Sequence, residues 1–95
     1  MHVVFLRFTN RRDRAAQYMD GHKAWIQAGF ADGVFLLAGS LTTAAGGAVL
    51  AAGVSLEDIQ ARVATDPFVV EGVVTAEIHE IAPGRVDDRL AALLA

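Results

Sequence analysis

A chain of 95 residues is the size of one domain, with room for a core but a large surface for its volume. A formal charge of −3 with only eight Lys plus Arg leaves no broad basic field, which sets nucleic acid aside as a partner. The absence of cysteine excludes disulfides and thiolate metal centres, while a hydrophobic share of 54% and a mean hydropathy of +0.39 point to apolar surface covered by another subunit.

The chain enters strand-like sequence at once, without a basic leader and apolar segment, so a cytoplasmic location is expected. Met1 to Phe8 places Val4, Leu6 and Phe8 on one face and Val3, Phe5 and Arg7 on the other, a strand covered on both sides. Thr9 and Asn10 then offer a turn and cap before a helix expected from about Arg12 to about Gly29. Arg7, Arg11, Arg12 and Arg14, interrupted by Asp13, read as a solvated helix start rather than an anion site.

At about 100° per residue, Ala15, Tyr18, Met19, Trp25, Ile26 and Gly29 fall on one stripe with His22 at its centre. A histidine on a packing face has lost water and needs a hydrogen-bond partner, because leaving a buried polar group unpaired costs about 1 to 3 kcal/mol.

Val34 to Ala38 is a short apolar run of the buried-strand kind, closed by Gly39 and Ser40. Residues 42 to 47 make a small-residue turn, and Ala48 to Val54 follows as a strand whose alanines suit close packing or a pocket floor. Both apolar runs are far short of the roughly 20 residues that span a bilayer, so no membrane association is expected.

Ser55 caps a second helix with Leu56, Ile59 and Val63 on its inner stripe. Asp66 before Pro67 reads as an N-cap and first-turn proline. Val73 to Ile81 alternates, with Val74, Ala76 and Ile78 opposite Thr75, Glu77 and His79. After Pro83-Gly84, the tail to Ala95 makes a helix that must dock on its own subunit or a neighbour, since about ten residues are marginal alone.

The order strand, helix, strand, strand, helix, strand is the α+β ferredoxin-like βαββαβ plan: an antiparallel four-stranded sheet with two helices on one face and an extra C-terminal helix. The other face, with Val3, Phe5, Arg7, Glu77 and His79, is too apolar to be left to water, and a homodimer through this open face would cover it.

Asp66 is the carboxylate that could serve His22, holding one imidazole N–H while the other nitrogen moves a proton. The alternative is a core histidine satisfied by Asp66 or by a carbonyl. Arg7 could fork onto a substrate carboxylate with His79 beside it, or pair with Glu77. Tyr18 and Trp25 flank His22 as core residues or pocket walls, and Ser40 is a strand-end polar group or pocket lining. The three histidines lack zinc-site spacing, and no segment is a heme or flavin signature, so neither metal nor cofactor is expected.

His22-Lys23-Ala24-Trp25, Leu37-Ala38-Gly39-Ser40-Leu41, Ser55-Leu56-Glu57 and Thr65-Asp66-Pro67-Phe68-Val69 stand in the order and spacing of the YCII-related (YciI-like) proteins. The chain resembles that family over about residues 1 to 82, a single domain with the tail from Pro83 outside the common pattern. It departs from the pattern in carrying Ser40 where proline is common. The resemblance implies a dimeric α+β barrel and a His–Asp catalytic centre, at His22 and Asp66 here. Most members have no assigned reaction, and a few eliminate chloride from aromatic rings. A cofactor-independent lyase or isomerase acting on a small cyclic substrate is the implied activity; a non-catalytic small-molecule-binding or interaction module is the alternative.

Overall fold

The computed structural model describes residues 1 to 94. Four strands, β1 (His2–Phe8), β2 (Phe35–Ser40), β3 (Gly46–Ala51) and β4 (Val74–Glu80), form one antiparallel sheet in the order β2-β3-β1-β4. The crossovers carry α1 (Ala15–Ala31) and α2 (Leu56–Val63), followed by a single turn α3 (Pro67–Val70) and a tail helix α4 (Asp88–Leu94). This is the α+β, ferredoxin-like arrangement that the element order implies.

Register explains the layering. In β1, His2, Val4 and Leu6 are buried, whereas Val3 and Phe5 are half-buried and Arg7 is exposed. Val4 stands opposite Val49 of β3 and Ile78 of β4, so alternate residues of three strands share the face under the helices. The core is Val4, Leu6, Val49, Val73 and Val74 from the sheet side, with Trp25 of α1, Ile59 and Val63 of α2, and Phe68 of α3.

Close approach of α1 to the sheet depends on Gly29. A Cβ there would lie inside the ring of Phe35, so only glycine lets the helix settle against β2. The two crossover helices are joined by the Trp25 indole, whose Nε1–H donates to the Arg62 carbonyl at 2.9 Å, and by an Arg62–Asp32 ion pair at 2.8 Å.

Several local expectations are corrected. Arg12 to Arg14 form a 3-10 turn, with α1 starting at Ala15 and running to Ala31. Thr9 makes the expected turn, its hydroxyl accepting the Arg11 N–H at 3.0 Å, but it does not cap α1; the same hydroxyl donates to the carbonyl of Gly72 at 2.6 Å, tying the end of β1 to the segment before β4. A bulge between Phe35 and Leu37 reverses the alternation of β2, so Ala38 and Ser40 lie over the helix side and Leu37 points to the open face.

No residue of α4 is fully buried, but of the expected stripe Val86, Leu90 and Leu94 are half-buried while Leu93 is 58% exposed, so the tail packs partly on its own chain. No helix among the described residues is long and apolar enough to cross a membrane.

Candidate functional site

The site begins with a cap. Asp66 precedes Pro67, the first residue of α3, and its Oδ1 accepts the Phe68 backbone N–H at 3.0 Å, while its own carbonyl accepts from Val69 and Val70. Proline suits that position because its fixed φ starts a helix and its missing N–H is not needed. The turn packs against α1 at Gly21, where a Cβ would stand 3.0 Å from the Pro67 ring. The next residue is His22.

His22 Nδ1 lies 2.8 Å from the same Oδ1. A carboxylate can only accept, so Nδ1 carries a proton; in the neutral ring Nε2 then keeps its lone pair. Nε2 makes no hydrogen bond among the described residues. Asp66 is completely buried, and its Oδ2 has no partner among the described residues, whereas the His22 side chain retains 13% of its exposure. The ring is clamped as well as bonded: it stacks on Phe68 with centroids 4.0 Å apart and planes 4° from parallel.

His22 forms part of the wall of a cleft of about 600 Å³ between α1 and the β1-β3-β2 part of the sheet. Met19, His22, Ile26 and Phe30 line it from α1 at helical spacing. On the sheet side it is bounded by Ala38, Gly39, Gly46, Gly47 and Ala48; a Cβ at Gly46 would run into the Leu6 carbonyl and one at Gly47 would stand 3.0 Å from the Gly39 carbonyl oxygen, so those two glycines serve close strand approach. Leu6, Phe8, Val49, Phe68 and Val74 make its inner surface apolar, while Arg12, Lys23, Ser40 and Thr42 supply polar groups.

The expected site residues therefore divide. His22 and Asp66 come together, and Ser40 reaches the same cleft through the β2 bulge. Trp25 is buried and spends its N–H on Arg62, and Tyr18 is half-buried against the core; neither lines the cleft. Arg7 and His79 stand on the opposite sheet face, where Glu77 takes Arg7 at 3.7 Å and His79 at 2.8 Å. The His79 hydrogen bond, helped by the Arg7 charge, holds the Glu77 carboxyl below its ordinary value.

Sequence reasoning missed three features. Arg12 and Lys23 line the cleft, although only the adjacency of Lys23 to His22 hinted at it. His2 is buried at the far end of the sheet, its Nε2–H donating to the Val54 carbonyl at 2.9 Å. Its Nδ1 has no hydrogen-bond partner among the described residues, the Glu80 carboxylate standing 4.0 Å away. No three His, Asp or Glu side chains among the described residues converge as a metal site would require.

No protein-family model matches the chain, and no curated protein sequence does. A solved structure does: the 5-chloro-2-hydroxyhydroquinone dehydrochlorinase of Burkholderia phenoliruptrix AC1100, in complex with 2,5-dihydroxybenzoquinone. The two superpose with a TM-score of 0.71 over 88% of this chain and 96% of that one, at 16% sequence identity. At that identity the likeness is one of fold: this chain shares the α+β architecture of the dehydrochlorinase along nearly its whole length.

Proposed function

We propose that this chain is a YciI-like, cofactor-independent lyase or isomerase that uses His22 as a general base on a small cyclic substrate, with Asp66 fixing the imidazole. The observation that carries the reading is the 2.8 Å bond from His22 Nδ1 to the buried Asp66 carboxylate, made by a ring that lines an apolar cleft. A neutral imidazole held in one tautomer presents Nε2 as the acceptor for a substrate proton. As the proton moves to Nε2, the imidazolium forms beside a carboxylate that already accepts its other N–H.

In an elimination, the C–H electron pair becomes the new double bond and the leaving group departs with the electrons of its own bond. In an isomerisation, the same proton returns to a different carbon. Neither step needs a covalent enzyme intermediate. The dehydrochlorinase of like fold acts by loss of chloride from a hydroxylated ring, which supports this class of chemistry. In this reading the protein works as a homodimer through the open sheet face, where Leu37 is 52% exposed beside half-buried Val3, Phe5 and Leu50.

A second reading, a non-catalytic small-molecule-binding module, is favoured by one feature. Asp66 also caps α3, and His22 also packs on Phe68, so both residues have structural work without any reaction. Incubating the protein in D2O with hydroxylated cyclic acids and chlorinated hydroquinones, and following C–H exchange and halide release by NMR, separates the two. The enzyme reading predicts exchange or release that His22→Gln abolishes in a folded protein. Binding without either process across the panel supports the module instead.

A further inference from the structure

The chain carries a net negative charge, yet no Asp or Glu lines the cleft. Its ionisable lining is Arg12, His22 and Lys23. A cleft with one sign of charge over low-dielectric walls concentrates ligands of the opposite sign. The two full cations are placed differently. The Arg12 guanidinium lies over the Phe8 ring, 4.4 Å from its centroid, and donates one N–H to the Ala44 carbonyl at 3.1 Å. Its remaining donors have no partner among the described residues, and a guanidinium offers five in a fixed fork. Lys23 makes no ion pair among the described residues.

Ala44 belongs to the β2–β3 loop and adopts φ 62°, a conformation that costs a non-glycine residue energy. Its carbonyl anchors Arg12 at the cleft rim. Exposed Phe30 borders the cleft, and deeper in, Phe8 and Phe68 with Leu6, Val49 and Val74 suit an apolar body rather than a sugar or a polyphosphate.

We propose that the cleft takes a small ring-bearing organic anion, an aromatic or alicyclic carboxylate or phenolate, whose charge is held by Arg12 and Lys23 while its ring lies against the aromatic lining. This rests on the cleft being the ligand site of the proposed function, but not on His22 acting as a base. The anionic group and the proton acceptor are then separate parts of one site: Arg12 and Lys23 select the charge, and His22 meets the ring.

The test uses benzoate and its neutral isostere benzamide, titrated by NMR against the parent protein, Arg12→Gln, Lys23→Gln, the double variant and His22→Gln. Arg12 and Lys23 are exposed, so these variants fold, as the spectra themselves report. Benzoate is expected to bind about tenfold or more tighter than benzamide, as a charge-assisted contact would give. The preference should weaken in each single variant, fall to within about twofold in the double variant and persist in His22→Gln. Equal binding of the two rings, a preference that survives the double variant, or no shift of cleft resonances by either ring overturns the proposal. Failure of the deuterium-exchange experiment with a retained benzoate preference would instead remove the catalytic reading and leave the anion site standing.

Discussion

The imidazole of His22 and the phenyl ring of Phe68 lie parallel, 4.0 Å apart, and both are held by one oxygen: Asp66 Oδ1 accepts from His22 Nδ1 and from the Phe68 backbone N–H. A single carboxylate thus starts α3, which positions the stacking partner, and orients the ring that is stacked.

Two substitutions at Asp66 should show what the shared acceptor oxygen contributes. Asp66→Asn keeps an oxygen for the Phe68 N–H, whereas Asp66→Ala removes it and leaves both donors unmet. Asp66→Ala should therefore be less stable than Asp66→Asn by about 1 to 3 kcal/mol in urea unfolding. Equal losses would mean that the cap contributes nothing measurable.

Gly29 provides a test in which two effects have opposite signs. Alanine is better than glycine in a helix by about 1 kcal/mol, but a Cβ at Gly29 would enter the Phe35 ring. Overpacking should win, so Gly29→Ala destabilises by about 1 to 3 kcal/mol, and Phe35→Leu recovers part of the loss in a double-mutant cycle. A stabilised Gly29→Ala would show that the helix moves away from β2 freely.

The open face carries a pH-dependent element. His79 first, then Arg7, holds the Glu77 carboxyl below its ordinary value, so its contribution is present at neutral pH and is lost as pH falls through the lowered value. Because Glu77 is exposed, the effect is small and salt-sensitive. Thermal melts of the parent and Glu77→Gln should differ slightly near about pH 7 and converge in acid; a gap that widens in acid would reverse the assigned sign.

Leu37 tests the proposed dimer. The β2 bulge turns it to the open face, and a charge there cannot be buried between two sheets without a large desolvation penalty. Leu37→Glu should sediment as a monomer with its circular dichroism unchanged, whereas the parent sediments as a dimer. A variant that remains dimeric would place the interface elsewhere.

Much of the frame was legible because alternation reports burial directly. The faces of β1 and β4 follow from Val4 and Leu6 against Arg7, and from Val74 and Ile78 against Glu77. Ser55 and Asp66 reveal their caps because local hydrogen bonding needs only neighbouring residues. The histidine stripe was readable for the same reason, since one helix face meets one core.

What escaped depends on contacts between distant segments. The bulge after Phe35 carries no local signal, yet it decides that Ser40 faces the cleft and Leu37 the open side. Arg12 sits in a charged run that looks solvated, and only the fold brings it to Ala44, thirty-two residues away. His2 resembles any strand residue until its neighbours enclose it.

The most direct test of the central claim is the protonation pattern of the His22 ring, read from long-range 15N–1H correlations at neutral pH in the parent protein and in Asp66→Ala, which removes the acceptor oxygen. The account predicts a proton on Nδ1, a free lone pair on Nε2, and loss of that single tautomer in the variant. A parent ring protonated on Nε2, or a tautomer indifferent to Asp66→Ala, would contradict the pairing and with it the base proposed at His22.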